Sequence, residues 1–333
     1  MSIWRQGAVM ASISLLSSTP LLGPEFPLPL DRPFTTGQAA AEGVSRAVLA
    51  RLHRDGLVRR MLKGVYVATQ AADGLLLRAQ ALNLVVPEGT VVVDWTAMWL
   101  HTGMLPFGQH REVPPVSLFR LPGQGRLRNE LCVSGERALI PEDLTVVSGL
   151  VVTTELRTAW DLGRFSSRDD AIGGLDRLLR TGAFTRAELL AGVERFRRQR
   201  GVVQLRDLAP RADPRSQSGP ESVTRLRWTD LSSLPPPTPQ VPIHNTPGGT
   251  WWLDLGIDEL RFAVEYDGEE FHSDDADRRH DRERRDWIRQ HRRWIIEPVR
   301  RHNLFGPTRD IERILIQGVH EARRTLHTRL TGR

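Results

Sequence analysis

Two apolar runs alternating at period two, Trp251 to Ile257 and Leu260 to Asp267, constrain this chain more than any other stretch, because carboxylates interrupt both. Successive side chains of a strand point to opposite faces. Asp254 is therefore expected opposite to Leu253 and Leu255, and Glu265 and Asp267 on the face opposite Val264. A hairpin turning near Asp258-Glu259 predicts Asp254 across from about Ala263, with Glu265 as its diagonal neighbour at roughly 7 to 8 Å between backbones. Like charges that close raise each other's pKa unless a cation lies between them. Oxygen-only ligands of this kind suit magnesium or manganese, not zinc or copper. Spacing alone leaves a second reading open, in which the acids form the solvated face of a half-exposed hairpin.

One hairpin accounts for little of 333 residues, a length that calls for two or three folding units. With 40% hydrophobic and 26% charged residues the chain can bury real cores. Its cations are almost all arginine, Lys63 being the one lysine among 46 basic residues, and arginine is the better fork for phosphate. A nucleic-acid partner is thus in play. A single cysteine, Cys132, excludes an internal disulfide and a cysteine-based zinc cluster and fits a reducing, cytoplasmic setting. Arg78 interrupts the best apolar run, Leu75 to Val86, so no membrane span is expected. The leader Met1 to Leu30, with its apolar Ala8 to Leu16, reads as a signal peptide, a disordered proline-rich arm or a start placed too early.

Cap signals then organise the chain. Thr36 is expected to cap Gln38 to Glu42, Gly43 to turn, and Ser45 to cap a second helix from Arg46 to His53, the pattern of a helix-turn-helix. Two extended runs broken at Lys63-Gly64 follow as a β-wing. Strands are expected at Val91 to Val93, Val116 to Phe119, Leu131 to Ser134 and Leu144 to Thr153, with helices after Thr154, Ser167 and Thr185. The polar, turn-rich residues 211–219 suggest a boundary. The expected division is a disordered leader over 1–33, a winged helix-turn-helix over 34–70, an α+β middle region over 71–209 and a mixed sheet flanked by helices over 210–333. Arg278, Arg282, Arg285 and Arg289 form one basic helical stripe, read either as a phosphate-binding face or as a solvated, internally paired one. Trp251, Trp252, Trp287 and Trp294 are expected in the core.

Two resemblances sharpen this reading. Trp252-Leu253-Asp254-Leu255, Val264-Glu265-Tyr266-Asp267-Gly268, Phe271-His272, the arginine-rich 277–282 and Trp294-Ile295-Ile296 together resemble the very-short-patch-repair-like branch of the PD-(D/E)XK nucleases, over about Pro220 to Arg301. The resemblance implies a restriction-endonuclease-like fold, Asp254 and Glu265 as Mg2+ or Mn2+ ligands, and Glu221 as a helix-borne acid completing the site. Asp267 stands where the superfamily carries lysine, and His272 is the implied substitute base. Separately, Phe34 to Val67, and Val147 to Thr154 followed by Arg157 to Leu162, resemble abortive-infection antitoxins of the AbiEi type. That implies DNA contacts from Ser45, Arg46, Arg51 and Arg54 on the second helix and from Arg59, Arg60 and Lys63 on the wing. In the C-terminal region the basic stripe offers Arg278 and Arg282 as further nucleic-acid contacts.

The resulting expectation is a cytoplasmic DNA-binding protein with a metal-dependent endonuclease domain acting on phosphodiester bonds. Duplex DNA is the foremost partner and RNA stays open, as do a homodimer and a partner toxin. The alternative is a non-catalytic, antitoxin-like transcriptional regulator whose nuclease fold is degenerate.

Overall fold

The computed structural model describes residues 21–104, 115–128, 132–245, 249–268 and 275–331. Two compact units divide the chain, Met1–Asp161 and Leu162–Arg333. Helices and three sheets, two of them with mixed strand directions, make it an α+β protein, as expected. Among the described residues no helix is long and apolar enough to cross a membrane.

The first unit opens with β1 (Phe34–Thr35), α1 (Thr36–Ala41), α2 (Arg46–Arg54), β2 (Val58–Leu62) and β3 (Val65–Ala68). These strands form an antiparallel sheet in the order β1-β3-β2. The cap of α1 is Thr35 rather than Thr36. Its hydroxyl accepts from the Gln38 amide at 3.1 Å while the Gln38 side chain accepts from the Thr35 amide at 2.7 Å, a reciprocal box that only a residue three before Gln38 can form. Thr36 instead donates its amide to the Gly64 carbonyl. Leu22, Phe26 and Leu28 are buried against Phe34, Leu49, Leu52 and Val58, and the Gln70 amide exchanges two hydrogen bonds with the Leu22 backbone. Residues 21–33 are thus part of this core, which corrects the expectation of a disordered leader for that stretch; residues 1–20 lie outside the described residues.

The unit continues through α3 (Leu75–Asn83), β4 (Val91–Val92), α4 (Asp94–Thr102), β5 (Val116–Arg120), β6 (Cys132–Glu136), β7 (Leu144–Val147), β8 (Leu150–Thr153) and α5 (Glu155–Phe165). Strands β4 to β8 form a second sheet in the order β6-β5-β4-β8-β7. Leu144 to Thr153, expected as one strand, is a hairpin, because Ser148 and Gly149 both have positive φ (+49° and +84°), as a tight turn between twisted strands requires. Met61, Leu62, Val65 and Val67 bury their side chains with Leu82, Val92, Leu118 and Val152, so the two sheets of this unit share one core. Buried Arg157 ties Asp143 to Asp161 at 2.5 and 2.8 Å, and Arg137 joins Asp161 to Asp94.

The second unit holds α6 (Arg168–Arg180), α7 (Arg186–Arg195), α8 (Val202–Leu208), α9 (Gly219–Asp230), β9 (Thr238–His244), β10 (Thr250–Ile257), β11 (Phe262–Tyr266), α10 (Asp275–Arg292), β12 (Ile295–Val299), α11 (Arg301–Leu304) and α12 (Ile311–Thr331). Ser167 and Thr185 cap α6 and α7 as expected. The sheet order is β12-β11-β10-β9, with only the β11/β12 pair parallel. Strand β9 carries two prolines within its seven residues. Its prolines, Pro239 and Pro242, are tolerated because it is an edge strand. Leu255, Ile257, Phe262 and Val264 pack with Trp228, Leu315 and Val319 in one cluster, while Leu253, Ala263 and Ile296 pack with Ile288 and Trp294 in another.

The expected cut at 209/210 is not where this chain divides. Within the second unit, α6 lies against α9 through Arg225 and Asp176 at 2.6 Å, Arg227 and Asp169 at 2.6 Å, and Arg168 and Asp230 at 2.6 Å. The Asp213 amide also donates to Asp176 at 2.8 Å, which ties down the turn-rich segment read as a boundary. Arg225 and Asp176 are both buried, so neither can lose its partner cheaply. Replacing Asp176 with Ala is expected to cost about 3–5 kcal/mol in chemical denaturation, far more than an exposed carboxylate such as Asp286; a loss under about 1 kcal/mol would show that the pair does not hold α6 to α9.

Candidate functional site

The acids singled out in the sequence meet in the second unit. The turn after β10 occupies Asp258 to Leu260 as a short 3-10 helix, with Arg261 in the left-handed region at φ +51°. That turn is longer than the expected one and moves the register: Gly256, not Asp254, faces Ala263, and Leu255 faces Val264. The paired ladder ends at Leu255, one residue short of Asp254. The Asp254 carboxylate accepts the Tyr266 amide at 2.8 Å.

On its other side β10 is irregular at the same residue. The ladder to β9 passes from Leu253↔Val241 to Leu255↔Pro239, and Gln240, which stands opposite Asp254, has φ +54°. Leu253 and Leu255 consequently serve different core clusters, where a regular strand would send both to one face. Gln240 reaches back to Glu221: its amide donates to the Glu221 carboxylate at 3.2 Å, and its carbonyl accepts from Gln217 at 2.9 Å. Glu221 stands in the first turn of α9, capped by Ser218, and also accepts the Gln217 amide at 2.8 Å.

The three acids differ in how their charge is accommodated. Burial first, then the negative charges of Glu221 and Glu265, hold the Asp254 carboxyl well above the ordinary carboxylate range. Burial also raises Glu221, against the hydrogen bonds it accepts from Gln217, Ser218 and Gln240. Glu265, 2% exposed, is neutralised differently: Arg284 donates to one oxygen at 2.7 Å and Arg285 to the other at 2.8 Å. Arg284 also bonds the Trp252 carbonyl at 3.3 Å. Asp267 is drawn outward to Arg285 at 3.8 Å and Arg300 at 3.5 Å. The donor set is all oxygen and suits a hard divalent cation in chemistry. Among the described residues, however, no three Asp, Glu, His or Cys side chains are gathered as a ready coordination shell. His272 lies outside the described residues.

The expected arginine stripe on α10 is only partly a free face. Arg282 is exposed, but Arg285 points to Glu265, and Arg289 bonds Asp286 and the Ile296 carbonyl. Arg278 lies on α10 with no side-chain position described. Sequence reasoning missed Arg284, Gln217 and Gln240. For Arg284 a signal existed: a glutamate in an apolar strand of a chain nearly without lysine needs an arginine, and α10 is the arginine-rich element. Trp294 is buried as expected, whereas Trp252 is 51% exposed.

In the first unit Ser45 spends its hydroxyl on the Val48 amide as the α2 cap. Arg46, Arg51, Arg54 and Lys63 are exposed, Arg51 pairing with Asp55 at 3.5 Å. Arg59 is not an open wing contact, because it donates to the Ala71 carbonyl at 3.0 Å and lies 3.8 Å from Asp73. Arg60 is half-buried, and its Nε has no hydrogen-bond partner among the described residues.

Comparison with known proteins places this basic module first. Residues 31–69 match the family described as "Transcriptional regulator, AbiEi antitoxin". The resemblance expected from Phe34 to Val67 is therefore supported for that segment. Two proteins of Mycobacterium tuberculosis, "Uncharacterized protein MT2308" and "Uncharacterized protein Rv2248", are each 36% identical over 154 residues, 46% of this chain. The chain spans little more than half, 56%, of the length of these curated relatives.

The raised Asp254 has a direct consequence for stability. The folded protein holds that proton more tightly than the unfolded chain, so stability falls as pH rises from the ordinary carboxylate range near 3.8 towards the raised folded value. Asp254→Asn keeps an acceptor for the Tyr266 amide and removes the charge. In chelator it is expected to melt higher than the wild type at pH 7, with the gain shrinking as pH falls towards 4. A lower melting temperature at pH 7 would show that the charge is already compensated.

Proposed function

We propose that this chain is a DNA-binding regulator of antitoxin type whose first unit reads duplex DNA and whose second unit carries a metal-dependent phosphodiesterase centre of the restriction-endonuclease kind. The observation that carries the second half is the acid set Glu221, Asp254 and Glu265 on α9, β10 and β11, with Glu221 and Glu265 buried and Asp254 raised by burial and by the negative charges of the other two. What supports the first half is the antitoxin-regulator match over residues 31–69 together with the exposed Arg46, Arg51, Arg54 and Lys63 around α2 and the β2/β3 turn. In this reading α1, α2 and the β2/β3 hairpin form a winged helix-turn-helix, and the four-stranded sheet with its helices is the nuclease-like fold.

Asp254 and Glu265, with Glu221, would hold Mg2+ or Mn2+. A cation bound there supplies Lewis-acid polarisation of a phosphoryl oxygen and lowers the pKa of a water. The chain's own residues do the rest. Asp254 is fixed by the Tyr266 amide, Glu221 by Gln217 and Gln240, and His272 takes the proton of the attacking water as a neutral base. A second reading has its own observation: both oxygens of Glu265 are already paired with arginine, as suits a non-catalytic regulator in which the acid is structural. A partner toxin or a second copy of the chain remains part of either reading, through the antitoxin likeness.

The separating experiment assays the pure protein on supercoiled, mismatched and single-stranded DNA and on RNA, with and without Mg2+ or Mn2+. Cleavage is expected only with metal; His272→Ala should reduce it by roughly 100-fold or more. Asp254→Asn with Glu265→Gln should abolish the rise in melting temperature that metal gives the wild type. No cleavage of any substrate, with no metal-dependent rise in melting temperature, would leave the regulator alone. For the first unit, changing Arg46, Arg51 and Arg54 to Ala should weaken duplex binding and flatten the salt dependence by about one unit per lost phosphate contact; an unchanged slope would remove α2 from the DNA interface.

A further inference from the structure

The pairing of Glu265 has a feature the three acids alone do not explain. Arg284 and Arg285 are consecutive on α10, so their side chains leave the helix about 100° apart, and they grip Glu265 from two sides, one guanidinium to each oxygen. Neither arginine is committed to Glu265 alone. Arg284 also donates to the Trp252 carbonyl, and Arg285 lies 3.8 Å from Asp267. Their side chains are 16% and 12% exposed, whereas that of Glu265 is 3% exposed. The acid is therefore the buried, fixed member of the group, and the arginines reach it from the wetter side. Two adjacent guanidiniums facing a carboxylate have the geometry and charge to face a phosphate, which offers them the same oxygen acceptors.

We propose that Arg284 and Arg285 are exchangeable phosphate-binding residues of this centre, held on Glu265 in the metal-free chain and turned onto a nucleic-acid phosphate when Glu265 engages a divalent cation. The proposal rests on the metal-dependent reading above and deepens it. It gives the acid site its positive charge from the neighbouring helix α10. It also makes metal and arginine competitors for one carboxylate and makes metal and nucleic acid cooperative, because occupation of Glu265 frees the groups that bind phosphate. No bond is made or broken in the exchange; ion pairs are traded.

The test uses the full chain with Arg46, Arg51 and Arg54 changed to Ala, so that the first unit contributes little to nucleic-acid binding, and reads two affinities: Mn2+ by calorimetry, and a short single-stranded DNA oligonucleotide in EDTA and in Mn2+. Arg284→Gln removes one competitor and leaves Arg285 on Glu265. It should bind Mn2+ about five-fold tighter or more, as expected for a coupling of ordinary size, and bind the oligonucleotide in Mn2+ more weakly, with a salt slope flatter by about one unit. Glu265→Gln should lose Mn2+ and gain oligonucleotide affinity in EDTA, because its arginines are released. If that variant melts within the assay range, Arg284→Gln carries the test. Unchanged or weaker Mn2+ binding by Arg284→Gln would make the arginines plain supports of Glu265 and overturn the exchange. Unchanged oligonucleotide binding in EDTA by a folded Glu265→Gln would overturn it equally. Failure of the underlying reading looks different: neither the parent nor any variant would bind Mn2+, and the exchange would fall with it.

Discussion

A guanidinium taken out of water loses several kcal/mol of hydration, and only a well-placed carboxylate returns it. In a chain whose cations are nearly all arginine, that requirement decides how each unit closes. Arg157 bridges Asp143 and Asp161 in the first unit, so the 3-10 turn before β7 and the helix after β8 are tied together at the end of the sheet. In the second unit Arg225 does the same for α6 and α9 through Asp176, and Arg284 and Arg285 do it for α10 and β11 through Glu265. Hydrophobic burial supplies the driving force in all three places, but the ion pairs fix which helix lies where. A misplaced turn of α10 would leave Glu265 buried and unpaired.

The local part of this arrangement was legible in the sequence. Ser45, Ser167 and Thr185 each precede a periodic apolar pattern, and each is the cap of the helix it announced. The alternation around Asp254 and Glu265 announced two strands, and the antitoxin-like segment was recognised where the family match falls. What was not legible depends on turns and on distant partners. Thr35 competes with Thr36 for the same cap, and the winner is set by the position of Gln38. Ser148-Gly149 hides a hairpin inside one apolar run. The link between Asp176 and Arg225 spans 49 positions, which no local pattern reveals, so residues 211–219 looked like a boundary when they are bound into the second unit.

The basic residues teach the same lesson at the first unit. Arginines spaced along a wing look interchangeable in sequence, yet Arg59 is spent on the Ala71 carbonyl, Arg60 is half-buried, and Ser45 is spent on its own helix. Charge that is already bonded offers little to a phosphate. The usable cations are those with nothing nearby to bury them, Arg46, Arg54 and Lys63, with Arg51 sharing its charge only with exposed Asp55. A count of arginines therefore overstates the charge this module leaves exposed, which lies on α2 and at the β2/β3 turn.

The acid centre shows why a strand irregularity is worth its cost. A regular β10 would send Leu253 and Leu255 to one core and Asp254 to the other. The kink opposite Gln240 lets the two leucines serve opposite cores, so both faces of the sheet stay sealed on either side of the acid. Gln240 can adopt its left-handed conformation because Gln217 and Glu221 hold its amide. The same contacts bring Glu221 from α9 to the strand. Backbone strain at Gln240 and helix capping at Ser218 thus combine to hold Glu221 against edge strand β9, while the two arginines of α10 compensate the buried charge of Glu265 on β11.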